Sequence, residues 1–255
     1  MRVPLLSFTI RSALMTSATV RPHRPPIWLV VCLTLGSLLL VAALLVRPFG
    51  FQPFNIPSGA MQPTLLIGDY IFVSKYAYGY SRYSLPFSPP LFSGRIFGAQ
   101  PRYGDVVVYR YPRDTSVDYV KRVVGLPGDR VQMIQGQLYL NGTTVRRERL
   151  ADLIEEGRPA KHWRETLPNG ASYETLDLTD NGFLDNTQIF VVPADAYFVL
   201  GDNRDNSQDS RMAAHGYVPF ENLIGRVETI FWSVNPNARA GAAPARLERI
   251  GMRVR

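Results

Sequence analysis

The chain has 255 residues, a formal net charge of +7 and a single cysteine, Cys32. Because one cysteine can form neither an intrachain disulfide nor a multi-cysteine zinc site, the fold must be stabilised by packing. The basic residues form no dense run, so the charge favours an anionic membrane surface, and we expect no nucleic-acid binding.

The N-terminal region predicts a tail followed by a membrane anchor. Residues 1–26 show no core-forming period, and we expect them to be disordered. Residues 27–46 carry no charge, and about twenty such residues match a hydrocarbon core of about 30 Å as a transmembrane helix. A cleaved secretory signal is the alternative, but Arg47-Pro48-Phe49 replaces the small residues of a cleavage site. Arginines before the helix place the N-terminus in the cytoplasm and residues 48–255 on the exported side.

The exported part shows short β-branched and aromatic runs separated by Gly, Pro, Asn and Asp, which is typical of an antiparallel β-domain. Between about 141 and 190 the sequence becomes polar and charged, and we interpret this region as a smaller inserted subdomain. The candidate strands are Tyr70–Ser74, Asp105–Tyr111, Tyr119–Val124, Arg130–Ile134, Gln137–Leu140, Gln188–Val192, Tyr197–Leu200 and Gly225–Trp232.

Residues 76–103 are rich in aromatic residues, proline and serine, and contain no acidic residue. Such a segment can cover a sheet edge. It can also enter the lipid interface with its Phe, Tyr and Leu side chains. Both interpretations remain open from the sequence.

Three segments carry residues suited to chemistry: IPSGAMQPTLLIGD at 56–69, YVKRVVGLPGD at 119–129 and GDNRDNSQDSR at 201–211. In this order behind an apolar N-terminal helix, they resemble the signature segments of bacterial type I signal peptidases. These are Ser/Lys serine endopeptidases of the plasma membrane that remove signal peptides from exported preproteins. The resemblance extends from residue 27 to the end of the chain and is weakest in the inserted region.

Carried over by position, the resemblance places the nucleophile at Ala60 and the general base at Lys121. It places the oxyanion-hole hydroxyl at Ser58 and a lysine-orienting hydroxyl at Ser207. The supporting polar network falls on Asp202, Asp209 and Arg211. The substrate pockets fall on Phe54, Ile56, Leu65, Tyr119 and Val120. The resemblance implies preprotein substrates, a lipid bilayer, no metal or other cofactor, and action as a monomer.

The lysine assignment is physically reasonable if Lys121 is desolvated. A base must be neutral, and half-neutrality at about pH 8 requires a pKa about 2.4 units below that of a free lysine. In a strand, Lys121 shares a face with Tyr119 and Val123, which can supply an apolar environment. A surface lysine is the ordinary alternative for this residue type.

Ala60 is the main departure from the family pattern, in which a serine follows Pro-Ser-Gly. A methyl group cannot attack a carbonyl, so we expect this chain to bind substrate without cleaving it. Ser58 is about 6.6 Å away in an extended segment and out of line for the same attack. We interpret Ala60 as an engineered serine replacement, and a natural non-catalytic signal-peptide-binding paralogue is the alternative.

Other reaction schemes fit the sequence less well. A histidine-based triad would have to use His162 or His215, and neither lies in a recognisable motif. A calcium site at Asp202, Asp205 and Asp209 lacks the glycine of an EF-hand loop. A self-cleaving repressor-like Ser/Lys protein would require a DNA-binding helical motif, which we do not find.

Overall fold

The structure, a computed structural model, places one helix before a β-rich region. It divides the chain into two compact units, Met1–Ala42 and Ala43–Arg255. Helix α1 spans Ile27–Phe49, where the sequence predicts a helix at 27–46. Within the described ranges, no helix has the combination of length and apolar character that crossing a membrane requires. Of the tail predicted at 1–26, residues 1–24 lie outside the described residues. The described residues are 25–85, 87–155, 157–238 and 244–255, with the backbone alone described at 42–49.

The described part of the second unit contains fifteen strands. Their β-branched and aromatic residues favour extended backbone. The pairs formed by these strands are antiparallel, which confirms the predicted mainly β, antiparallel fold class. The strands are β1 (Phe51–Asn55), β2 (Asp69–Ser74), β3 (Val106–Tyr111), β4 (Asp114–Gly125), β5 (Arg130–Ile134), β6 (Gln137–Leu140), β7 (Thr143–Thr144), β8 (Arg146–Arg149), β9 (Leu153–Glu155), β10 (Arg158–Thr166), β11 (Ser172–Asp177), β12 (Phe190–Val191), β13 (Ala196–Leu200), β14 (Val218–Pro219) and β15 (Leu223–Ser233).

The largest sheet has seven strands in the order β1, β2, β15, β3, β4, β13 and β14. β15 shifts register against both of its neighbours, and such bulges increase the local twist of a sheet. A Cβ on Gly225 would lie 2.3 Å from the Ser74 carbonyl oxygen, so the backbones of β15 and β2 approach where only glycine fits. This sheet therefore places β1 at one edge and brings β4 beside β13, from whose end the 201–211 segment begins.

Two smaller sheets pair strands from the middle of the chain. One has the order β11, β10 and β8, with β9 also pairing to β10, and lies wholly within the region predicted as an insertion. The other has the order β12, β5, β6 and β7, so it joins two strands that precede residue 141 to strands within that region. Both belong to the same compact unit as the large sheet.

Buried apolar side chains connect these layers. One cluster joins the small sheets to β13 through Phe198, which is fully buried and lies 5.1 Å from the Phe190 ring, centroid to centroid. A second cluster includes Ile56, Met61 and Leu65 and lies under the turn that follows β1. Packing of the 56–69 segment onto the large sheet thus fixes the position of residue 60.

The 76–103 segment combines a fixed base with exposed apolar side chains. The Arg95 guanidinium donates hydrogen bonds to the backbone carbonyls of Gly79, Phe220 and Leu223, which ties the segment to the start of β15. Phe87 is 100% exposed and Phe97 is 86% exposed. The base covers part of the large sheet, while these side chains remain available for another apolar surface.

We expect Phe198→Ala to reduce the free energy of unfolding by about 3–5 kcal/mol, because it removes the ring that joins two sheets and leaves a cavity. Denaturant unfolding of the full chain in detergent measures this change. Phe97→Ala removes the same atoms from an exposed position and should change stability by less than about 0.5 kcal/mol. Equal effects of the two substitutions would contradict the assigned core.

Candidate functional site

The turn after β1 presents position 60 beside the 201–211 segment. Ser58 is extended, with φ −131° and ψ 157°, and precedes a single 3₁₀ turn at Gly59–Met61. The Ala60 side chain is 8% exposed, and its carbonyl oxygen accepts a hydrogen bond from Asn203 N at 3.1 Å. Ser58 is exposed and its hydroxyl does not cap the turn, so that hydroxyl is free to meet a ligand.

A cavity of about 510 Å³ lies against this turn, and we call it the main cavity. Its volume lies within the range of about 300–1,000 Å³ that is common for ligand sites. Two pieces of extended chain form its walls, residues 54–58 with 60–61 on one side and Val117–Lys121 on the other. Asn206 and Gln208 complete it. The sequence-predicted residues that line the main cavity are Phe54, Ile56, Ser58, Ala60, Tyr119, Val120 and Lys121.

Leu65 differs from the other predicted pocket residues. It is fully buried and packs in the core cluster with Met61 and Ile71. Its place is behind the wall of the main cavity, where it supports the turn that carries Ala60.

Lys121 is the buried titratable group of the main cavity. It lies on β4, is 3% exposed, and donates a hydrogen bond from Nζ to the Val120 carbonyl at 3.1 Å. Its Nζ lies 5.4 Å from the centroid of the Tyr119 ring, as expected for side chains on one face of a strand. Burial lowers the pKa of Lys121 to about 8, although the carboxylates of Asp209 and Asp202 partly oppose the shift. About a tenth of Lys121 is therefore neutral at pH 7, and about half is neutral at pH 8.

An aromatic cluster supports the Tyr119 wall. The Tyr119 ring lies 5.1 Å from the Tyr111 ring and 5.6 Å from the His215 ring, centroid to centroid. His215 Nδ1 lies 3.1 Å from the Gly216 carbonyl, which can only accept, so Nδ1 carries the proton. Nε2 then accepts a hydrogen bond from Tyr109 Oη at 2.7 Å. Both ring nitrogens of His215 are thus occupied in supporting this wall.

His162 also lies outside the main cavity. Its Nε2 lies 2.9 Å from a carboxylate oxygen of Glu174 on the neighbouring strand β11. Neither this histidine nor His215 lines the main cavity.

The 201–211 segment is held by two buried ion pairs. Asp202 accepts from Arg122 Nε at 2.8 Å and from Arg122 Nη2 at 2.6 Å, and both side chains are almost fully buried. Thr64 Oγ1 donates to the same carboxylate at 2.6 Å. Asp209 accepts from Arg211 Nε and Nη2, each at 2.9 Å. Arg122 and Thr64 are site residues that sequence reasoning missed, although both lie inside the recognised segments.

The electrostatics of Asp209 follow from these contacts. Burial is the largest single influence and raises the pKa of Asp209, but the charge and hydrogen bonds of the Arg211 guanidinium, together with other hydrogen bonds, outweigh it and hold the pKa below its ordinary value. The hydrogen bond from the Gly201 amide, at 3.1 Å, acts in the same direction, whereas the buried Ser207 hydroxyl has no hydrogen-bond partner among the described residues. Asp209 is therefore a carboxylate at neutral pH, and its field acts on Lys121.

Gly201 brings positions 60 and 207 together. A Cβ on Gly201 would lie 2.2 Å from Ser207 Oγ and 2.6 Å from the Ala60 carbonyl oxygen. Only glycine permits this close approach. Ser207 and the Ala60 carbonyl thus both lie against Gly201, while Lys121 donates to Val120.

The three aspartates of the alternative calcium scheme have other partners. Asp202 and Asp209 each face a guanidinium group. Asp205 Oδ2 accepts from the amides of Leu178 and Thr179, both at 2.8 Å. Among the residues with described positions, no group of three or more His, Cys, Asp or Glu side chains is arranged to hold a metal ion.

Comparison with known proteins relates the whole of this site to one family. A family model described as "Signal peptidase, peptidase S26" matches residues 28–232. A signal peptidase I of Rickettsia conorii is 48% identical over 200 residues, which cover 75% of this chain and 75% of that protein. A signal peptidase I of Rickettsia typhi is 43% identical over 227 residues, which cover 86% and 82%, respectively. A crystal structure of a signal peptidase I from Enterococcus faecalis is 26% identical, covers 50% of this chain and 97% of that chain, and has a TM-score of 0.31.

We expect Lys121→Met to stabilise the protein by about 3 kcal/mol at pH 7, because folding holds a buried lysine with a lowered pKa. The unfolded chain binds this proton more tightly, so the penalty is complete below about pH 8 and disappears as the pH approaches 10.5. The stability advantage of Lys121→Met over the unsubstituted chain should therefore shrink across that interval, while the buried Tyr78, Tyr109 and Tyr173, whose pKa values burial raises, affect both chains alike.

Denaturant unfolding at several pH values from 7 to 10.5 measures both effects. Lys161→Met is the matched control, because the Lys161 side chain is 39% exposed and pairs with Asp180 at the surface. A pH dependence that persists unchanged in Lys121→Met would contradict the assigned pKa.

Proposed function

The chain belongs to the signal peptidase family, peptidase S26, and on that basis we propose that its main cavity binds the signal peptides of exported preproteins. The signal peptidase I family consists of serine endopeptidases that act in protein secretion. The observation that carries the proposal is the placement of a buried lysine, with a pKa of about 8, in the same cavity as position 60.

The catalytic roles follow from the geometry of the main cavity. With a serine at position 60, neutral Lys121 would accept the hydroxyl proton as the oxygen attacks the scissile carbonyl. The free hydroxyl of Ser58 would donate a hydrogen bond to the developing oxyanion. Ser207, which lies against Gly201, would orient Lys121. Asp202, Asp209 and Arg211 would hold the 201–211 segment in place.

The walls of the main cavity suit an extended peptide. β1 is an edge strand of the large sheet, and its partner across the cavity is the extended segment Val117–Lys121. A peptide lying between them can pair its backbone with either segment and place alternate side chains against apolar walls. Phe54, Ile56, Tyr119 and Val120 supply those walls and would favour small apolar side chains before the scissile bond.

Ala60 separates binding from chemistry in this chain. Its methyl group has no electron pair for attack, so the proposed catalytic step has no nucleophile. A serine-to-alanine change removes one oxygen and leaves the packing of the turn almost unchanged, so the peptide should still bind. We propose an engineered, inactive variant of a signal peptidase I, with a natural signal-peptide-binding paralogue as the alternative.

The proposed location is the bacterial inner membrane, with helix α1 as a single anchor. The excess of arginine before the helix places the N-terminus in the cytoplasm and the β-rich unit in the periplasm or outside the cell. Anchoring would bring the main cavity near the bilayer, where the apolar part of a signal peptide lies. We propose that the protein acts as a monomer and without a cofactor.

We expect Ala60→Ser to cleave a preprotein in detergent after a small-x-small sequence, while the chain with Ala60 gives no product. Adding Lys121→Met should abolish the cleavage, because no neutral base would remain beside the serine. Gel analysis with N-terminal sequencing of the product measures both outcomes. Binding by both forms without cleavage by Ala60→Ser would favour the paralogue.

Adding Ser58→Ala to Ala60→Ser should lower kcat by about 10²–10³-fold with little change in KM, because the hydroxyl acts on the oxyanion and hardly on the ground state. Steady-state kinetics on a peptide substrate give the two parameters. Ser116→Ala, on the exposed part of β4, is the control and should leave both parameters unchanged. A change confined to KM would assign Ser58 to binding alone.

A further inference from the structure

A second cavity of about 310 Å³ adjoins the main cavity. The two cavities share Asn206 and Gln208, whose exposed side chains form a ridge between them. Tyr119 Oη donates to Gln208 Oε1 at 3.3 Å, so the ridge is joined to the wall of the main cavity. A ligand that fills the main cavity can therefore continue across this ridge without leaving the protein surface.

The lining of the second cavity combines an apolar side with a polar floor. Phe183, Leu184 and Met212 supply the apolar side, and Phe183 is 92% exposed although it lines a concave surface. The floor includes two charged side chains that already have partners of their own. Arg204 pairs with Glu165 through Nη2, although its Nε and Nη1 have no partner among the described residues. Asp205 Oδ2 accepts from the amides of Leu178 and Thr179. This lining suits an uncharged ligand with an apolar side chain better than a charged one.

Position 60 lies at the border between the cavities. Ala60 lines the main cavity, while its carbonyl oxygen accepts from Asn203 N and lies beside Gly201 of the loop. Ser207 lines the second cavity and packs against the same part of Gly201. The Asn206 side-chain amide is also close, with Nδ2 3.5 Å from where a Cβ on Gly59 would lie. A bond placed at position 60 thus has the main cavity on one side and the second cavity on the other.

We propose that the second cavity binds the segment that follows the scissile bond, the first residues of the mature protein, as an extended chain with an apolar side chain on Phe183 and Leu184. This inference rests on the proposed function, which places the signal peptide in the larger main cavity. The chain must then leave position 60 over the ridge of Asn206 and Gln208. An extended peptide advances about 3.3 Å per residue, so a few residues are enough to reach beyond the ridge.

The inactive chain allows an equilibrium test, because a peptide that spans the bond is not consumed. The probes are two fluorescent peptides with the same Ala-x-Ala sequence before the bond. The short peptide ends one residue after the bond, and the long peptide continues for five more residues that include leucine. Fluorescence anisotropy with the full chain in detergent gives the dissociation constant of each peptide.

The long peptide should bind about tenfold tighter than the short one, the order that one apolar side chain in a pocket provides. The double variant Phe183→Ser with Leu184→Ser should reduce this ratio to about one and leave the affinity for the short peptide unchanged. Phe97→Ser is the matched control, because Phe97 is equally exposed but lines neither cavity, and it should keep the ratio.

Equal affinities of the two peptides for the unsubstituted chain would overturn the inference, as would a ratio that survives the double substitution. The same advantage in a peptide with its Ala-x-Ala part scrambled would also overturn it, because the extra residues would then adsorb without a bond placed at position 60. Cleavage of the long peptide by Ala60→Ser tests the proposed function separately. If cleavage fails while the ratio behaves as expected, the peptidase assignment falls and a peptide site across the ridge remains.

Discussion

The Asp202 carboxylate joins the segments 56–69, 119–129 and 201–211. It belongs to the 201–211 segment. It accepts two hydrogen bonds from Arg122 of the 119–129 segment and one from Thr64 of the 56–69 segment. Removing one partner of a buried ion pair typically costs about 3–5 kcal/mol, because the other charge stays buried. This interaction holds the turn of Ala60, the strand of Lys121 and the loop of Ser207 in a single arrangement.

The alternation of side chains along β4 explains how one strand can both pair with Asp202 and present Lys121 to the main cavity. Successive residues of a strand point to opposite faces, so Arg122 reaches the carboxylate while Lys121 faces the main cavity. The charged pair satisfies itself, whereas Lys121 donates to a backbone carbonyl and lies beside an aromatic ring, and burial lowers its pKa even though the carboxylates of Asp209 and Asp202 oppose the shift. One face of β4 therefore buries and desolvates Lys121, while Arg122 on the other face joins the strand to Asp202.

The arrangement around position 60 is formed with alanine in that place. The turn, the exposed Ser58 hydroxyl, the desolvated lysine and the cavity walls are all present around the Ala60 methyl group. Position 60 lines the main cavity, and Asn206 and Gln208 line both this cavity and the second one, where we propose that the two parts of a peptide bind. Binding and catalysis in such a protein can be measured one without the other.

The sequence by itself determined the antiparallel β class and the three segments, because turn residues and alternation are local properties. The roles predicted at positions 58, 60, 121 and 207 came from the resemblance of those segments to a family. It could not show that Leu65 lies in the core, since an apolar residue in a motif can face either a pocket or the interior. The Arg122 and Thr64 contacts to Asp202 also required the tertiary structure, because their partners are 80 and 138 residues apart in the chain. The same holds for the second cavity, which exists only where the loop of the inserted region packs beside the 201–211 segment. Long-range packing decides which segments of the chain become neighbours. The sequence of a single segment does not show which distant segment it will contact.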